Sequence, residues 1–263
     1  MRTRTTMDIT SIRYINMDKN WHRRLFIEFL LLYLPYKVIR CPGVKFSREN
    51  DLYAKYLTHG INDYIEMEGK LNADMQGRLE GVVGCWIAHT QALEAINEET
   101  GITVILEDDF ICHSQFFRSA IKMINSFDRD FDIIVFDPWG SGPLQNHKIG
   151  ENIYHPRKPS YPHYGGAHCL FVNNAKISKL LYTHLNSEVV DYDGFVMMSD
   201  KINCYVFYTG QCMARGIGSD ITKFYKINYD LLSIPLCLLP PTIRDKTEKF
   251  KKFFYKPGEK KVK

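Results

Sequence analysis

The chain has 263 residues, 45% of them hydrophobic and 24% charged, which is an ordinary globular composition with enough apolar mass for one large domain or two small ones. Its net charge of +4 is local: residues 246–263 carry eight Lys and two Glu, or +6, so the rest of the chain sums to −2. A near-neutral body excludes a broad nucleic-acid-binding surface, and no nucleic acid partner is expected.

In chain order, Ser11 to Met17 alternates apolar and polar residues as a strand. Asp18-Lys19-Asn20 then opens a helix, with Asp18 or Asn20 as N-cap, running from Trp21 to Leu34 and stopping at Pro35. Lys37 to Arg40 reads as a second short strand. Residues 46–81 are polar and weakly periodic, a long excursion with short helices. Helical spacing returns from Gly84 to Glu99, through Trp86, Ile87, Thr90, Leu93 and Ile96. A fully apolar strand starts at Ile102, and Gln115 to Phe127 forms an amphipathic helix. Phe131 to Phe136 is a buried strand, residues 138–162 a long loop, His168 to Val172 a strand and Asn174 to Leu185 a helix. Alternating strands and helices predict an α/β fold with a doubly wound, mixed and mostly parallel sheet. One domain over residues 1–241 and a basic extension over 242–263 are expected.

The seven cysteines (41, 85, 112, 169, 204, 212 and 237) are odd in number, irregularly spaced and without a CxxC pair. That pattern predicts reduced, mostly buried thiols rather than a disulfide framework or a zinc site, and a cytoplasmic protein. Met1 to Thr10 has no hydrophobic signal region. Leu25–Leu34 is too short to span a bilayer and contains Glu28, and Leu231–Leu239 is interrupted by Pro235. In the tail, Phe250, Phe253, Phe254 and Tyr255 interleave with lysines. This pattern fits peripheral contact with an anionic membrane surface, and equally a solvated terminus.

The strand from Ile102 ends in three consecutive acids, Glu107, Asp108 and Asp109. Ligands of such sheets bind at the carboxyl ends of strands. Three adjacent carboxylates repel one another and resist desolvation. A divalent cation with hard-ligand preference, Mn2+ or Mg2+, is the partner that compensates them. Acids at a strand end also cap helices or simply face water. Side-chain alternation puts Glu107 and Asp109 on one side and Asp108 on the other.

Further motifs, in order, make the chain similar to glycosyltransferase family 25, which includes lipooligosaccharide galactosyltransferases and collagen β-galactosyltransferases. They are Ile15-Asn16-Met17-Asp18 followed by Arg23-Arg24, then Gly84-Cys85-Trp86-Ile87-Ala88-His89, then Leu106-Glu107-Asp108-Asp109. Gly165-Gly166-Ala167-His168, Val190-Asp191-Tyr192-Asp193 with Met197-Met198, and Ser219-Asp220-Ile221 complete the set. Ala88 stands where the family usually has Ser, and His168 where Tyr is common. The resemblance covers most of residues 11–221.

It implies a GT-A type nucleotide-sugar-binding fold and an inverting, metal-dependent transfer from a UDP-sugar, usually UDP-galactose, to a glycan acceptor. On that reading Asp109 and Glu107 hold the metal. Asn16, Asp18, Arg23, Arg24, His89, Glu107 and Asp108 contact the donor. His163, Tyr164, Gly165 and Gly166 line the acceptor side. Asp191 or Asp193 is the general base, and both also fit a helix N-cap. Cytoplasmic lipooligosaccharide assembly on a lipid-linked acceptor fits this chain better than collagen modification. A catalytically inactive, glycan- or nucleotide-binding scaffold is the rival reading, as is transfer of another UDP-sugar to a protein or viral glycan. A nucleotidyltransferase is disfavoured because no phosphate-cradling glycine loop or Walker lysine is present.

Overall fold

In the computed structural model, residues 6–47, 51–68, 73–97, 100–138, 147–156, 166–188 and 191–214 are described. Strand β1 (Ile9–Asn16) leads through a 3-10 turn to helix α1 (Trp21–Leu31) and strand β2 (Lys37–Pro42). Helices α2 (His59–Glu68) and α3 (Ala73–Glu94) precede β3 (Ile102–Glu107), β4 (Phe110–Cys112) and α4 (Phe116–Ser126). Then come β5 (Ile133–Phe136), the hairpin of β6 (Lys148–Gly150) and β7 (Ile153–Tyr154), and β8 (Cys169–Asn173). Helices α5 (Ile177–Leu185) and α6 (Tyr192–Met198) and strands β9 (Cys204–Phe207) and β10 (Cys212–Ala214) close the described chain.

The central sheet has eight strands in the order β2-β1-β3-β8-β5-β9-β7-β6, and β4 and β10 form a separate antiparallel ribbon. β1 pairs in parallel with both β2 and β3, and β5 with β9. Only β8 and β7 run against the other six strands. The sheet is therefore mixed with one dominant direction, and the fold is α/β as expected.

Strand residues alternate between two cores. Ile105, Ile133, Val135, Leu170, Val172, Cys204 and Val206 face one layer, where α3, α5 and α6 contribute Trp86, Leu93, Leu180 and Phe195. Val104, Leu106, Ile134, Phe136, Phe171 and Phe207 face the other, packed on Ile27 and Leu31 of α1 and Phe116, Ala120 and Ile124 of α4. A strand buried on both faces is an unbroken apolar run, which is why β3, β5 and β8 are readable in the sequence.

Three expectations change. Helix α3 begins at Ala73 rather than Gly84: Met75, Gln76, Arg78, Leu79 and Glu80 are strong helix formers, although Gly77, Gly81 and Gly84 interrupt the apolar period. The stretch read as a loop over 138–162 holds the β6–β7 hairpin, with Asn152 in the left-handed conformation (φ 57°) at its turn, where Asn is tolerated. α1 stops at Leu31, and Asn20, its N-cap, makes no side-chain cap hydrogen bond. Along the outer side of α1 and just beyond it, Trp21, Leu25, Phe29, Leu32 and Tyr33 are each more than half exposed.

Every cysteine among the described residues is free. No helix among them is long and apolar enough to cross a membrane. The 242–263 extension and the Ser219-Asp220-Ile221 motif lie outside the described residues.

Candidate active site

Strand order reverses at β1: the chain passes from β1 to β2 on one side and then to β3 on the other. In open α/β sheets the carboxyl ends of strands at such a switch point frame a crevice. A cleft of about 240 Å³ lies there, lined by Ile15, Met17, Asn20 and Arg23 at the end of β1 and beyond it, Val44 and Lys45 after β2, Cys85 and His89 on α3, and Glu107, Asp108 and Asp109 at the end of β3 and just after it. Gly84 lets α3 approach the segment after β2: a Cβ there would lie 2.4 Å from the Val44 carbonyl oxygen.

The three acids diverge, because β3 ends at Glu107 and residues 108–109 turn into β4. Glu107 points toward α3, its Oε1 3.4 Å from His89 Nε2. Asp108 turns the other way and is held by the protein: Asn16 Nδ2 donates to it at 2.7 Å and Arg23 Nη1 at 2.8 Å. Asp109 is half-buried on the cleft wall. The expected alternation of Glu107 and Asp108 is present, with Asp108 facing Arg23 and Asn16.

Asn16 is buried and also donates to the Asn20 carbonyl at 3.1 Å, while Arg40 donates to its Oδ1 at 3.3 Å. It ties β1 to β3 and the start of α1. Asp18 is exposed and ion-paired with Arg40. Arg23 enters the cleft wall, whereas Arg24 pairs with Glu28 at 2.9 Å and is not among the lining residues. Arg40, Lys45 and Cys85 were not singled out from the sequence as site residues. Cys85 lies within the Gly84–His89 motif, and Arg40 and Lys45 lie on or just after the strand beside the first motif; those positions are the only signal for them.

His89 is 1% exposed and stacks on the Tyr192 ring with centroids 3.8 Å apart. Burial holds it far below the usual histidine range, at about 3, so the ring beside the Glu107 carboxyl is neutral. Asp191 is the N-cap of α6, its side chain accepting from Gly194 N at 3.1 Å. Asp193 spends both oxygens on backbone amides, accepting from Gly166 N and Ala167 N at 2.8 Å each. Gly166 sits at φ 105°, a conformation that favours glycine. Burial holds both Glu107 and Asp193 above the usual carboxylate range, helped by repulsion from Asp108 and Asp191 on Glu107 and from Glu107 and Asp191 on Asp193. His163, Tyr164 and Gly165 lie outside the described residues.

These buried groups set a pH dependence of stability. Burial also lowers His168, to about 4, and lowers His184. A histidine held neutral in the native state loses stability as pH falls below its ordinary value near 6.5, because the unfolded chain takes up a proton that the native state refuses. Glu107 and Asp193 work in the opposite sense: their native protons stabilise the fold below the ordinary carboxylate range, and that contribution is lost as pH rises toward neutrality. Three histidines outweigh two carboxylates. The unfolding free energy from urea titrations in EDTA should therefore fall between pH 6.5 and 4.5 by about 1 kcal/mol per pH unit, and more steeply below that. Unchanged or rising stability on acidification would contradict this balance.

The carboxylates fit a hard divalent cation in part. Asp109 and Glu107 are oxygen donors at the cleft wall, while Asp108 is already engaged by Arg23 and Asn16. When bound, such a cation supplies Lewis-acid stabilisation to a departing diphosphate.

No protein-family model matches the chain, and no curated protein matches it. Among solved structures it is similar to a glycosyltransferase involved in the glycosylation of the major capsid of PBCV-1, with 11% identity, 67% of each chain covered and a TM-score of 0.33. A likeness of that size carries no argument about activity, so function is argued from the cleft.

Proposed function

We propose that the protein is an inverting, metal-dependent glycosyltransferase that moves a sugar, galactose from UDP-galactose first among the options, onto a glycan acceptor. The supporting observation is the cleft at the β1/β3 switch point, which sets Asp109 and Glu107 beside Arg23 and Lys45. Carboxylates for a cation and basic groups for a diphosphate in one crevice suit a nucleotide-sugar donor. Asn20 and Arg23 form the wall where the nucleotide would lie, and Arg23 donates to Asp108 there.

In the transfer, the acceptor hydroxyl oxygen bonds to the anomeric carbon as the bond to the diphosphate breaks, and UDP leaves with the electron pair. The hydroxyl proton passes to a carboxylate. Asp191 suits that role better than Asp193. Its side chain is exposed, with one oxygen capping α6, whereas Asp193 is committed to Gly166 and Ala167. Asp193 then positions the 166–167 segment on the acceptor side. A lipid-linked acceptor, met at an anionic membrane surface through the lysines of residues 246–263, completes the proposal.

The test is UDP release from UDP-galactose, UDP-glucose and UDP-N-acetylglucosamine, with Mn2+ and with EDTA. Turnover of one donor, dependent on the metal, supports the proposal and names the sugar. No binding of any donor with either Mn2+ or Mg2+ overturns it in favour of a scaffold.

A further inference from the structure

Glu107 has a second set of neighbours that sugar transfer does not use. Cys85 and His89 are one helical turn apart on α3, so both project from the same face. Glu107 comes from the end of β3 across that face. One ligand atom from each of the three side chains lies within 4.8 Å of the others. His89 is 1% exposed, and its Nδ1 has no hydrogen-bond partner among the described residues. Cys85 is half-buried, and both it and His89 line the cleft.

We infer that Cys85, His89 and Glu107 form a binding site for a borderline-soft divalent metal of the zinc class. Sulfur, imidazole nitrogen and one carboxylate oxygen make a tetrahedral set with one position left open, and they disfavour magnesium or manganese. Bonds of about 2.0–2.3 Å place tetrahedral ligand atoms about 3.5 Å apart. The His89–Glu107 pair is already at 3.4 Å, so closing the site takes side-chain rotation of about 1 Å. A thiolate and a carboxylate neutralise the dication, and the Cys85 proton leaves to water when the sulfur binds. The site uses Glu107 Oε1, and the second oxygen of that carboxylate stays available to the cleft. The open fourth position would face the cleft, where a water or a substrate oxygen can enter.

The site shares Glu107 with the sugar-transfer proposal but does not use Asp109, and cobalt(II) reports on it directly. The full chain, stripped with EDTA and kept in thiol-free buffer, is titrated with Co2+. A near-ultraviolet thiolate-to-cobalt absorption band should saturate at one equivalent and bleach when zinc is added. It should be lost in Cys85→Ser and kept in Asp109→Asn. Peptide mapping of wild-type protein gives a second reading that needs no variant: zinc should slow alkylation of Cys85 at least about tenfold relative to EDTA. No band at any cobalt concentration, a band that survives Cys85→Ser, or alkylation of Cys85 unaffected by zinc would overturn the assignment. Loss of UDP release in Asp109→Asn with the band intact would separate the two metal readings.

Discussion

Asp109→Asn should lower metal-dependent UDP release by at least about 100-fold, the scale on which removing one preorganised electrostatic group acts, while urea unfolding stays close to wild type. The reason lies in how the three acids divide their work. Asp109 lies half-buried on the cleft wall, and the amide of Asn keeps its shape while removing the anionic donor that a divalent cation requires. Asp108→Asn is the informative contrast. Its carboxylate accepts from Asn16 and Arg23, and both side chains of the ion pair are about one-tenth exposed. Neutralising Asp108 removes one charge of this pair, and breaking a buried pair in that way costs about 3 kcal/mol. That variant should lose stability and activity together. Equal turnover in Asp109→Asn and wild type under saturating donor and Mn2+ would refute the assigned role.

Asp137→Asn should destabilise the fold by about 3 kcal/mol, more than a substitution of one atom suggests. Asp137 follows β5 with φ at 47°, a left-handed conformation that Asp and Asn both tolerate, so the exchange isolates the charge. Its two oxygens accept from Thr209 N and Thr209 Oγ1 at 2.6 Å each, Gly210 N at 2.9 Å, Gln211 N at 3.2 Å and Cys212 N at 3.1 Å. One carboxylate thereby fixes the whole connection from β9 into β10. An amide in its place turns one acceptor into a donor facing other donors, and buried unsatisfied groups cost about 1–3 kcal/mol each. Denaturant midpoints measure the loss, and hydrogen exchange at residues 209–212 locates it. A change below about 0.5 kcal/mol, the range of inert surface substitutions, would show the cluster to be redundant.

These two aspartates differ in how much of their setting the sequence shows. Asp109 was legible because an apolar strand ending abruptly in acids is unusual in itself, and residues 102–109 contain the whole signal. Asp137 also follows an apolar strand, but its partners are 72–75 residues further along the chain, and nothing in the sequence announces them. The same limit explains the sheet. β3, β5 and β8 are readable as buried runs, yet the antiparallel insertion of β8 between β3 and β5 is decided by tertiary pairing that leaves no local trace. In the site, Asp191 and Asp193 are both base candidates in the sequence, with Val190 before Asp191 tipping the choice toward Asp191. Only the two amides that converge on Asp193, from residues 26 and 27 positions earlier, separate a positioning carboxylate from an available one.

The outer side of α1 sets how the protein behaves at high concentration. Trp21, Leu25, Phe29, Leu32 and Tyr33 present their apolar surface to water, and the charges alongside them are partly cancelled by the Arg24–Glu28 pair. Colloidal stability along this edge therefore rests on hydration rather than on charge repulsion. Sulfate and phosphate, which strengthen apolar burial, will promote self-association through α1 at concentrations where chloride does not. Preparations in phosphate buffer will sediment as a broader population than the same protein in dilute chloride.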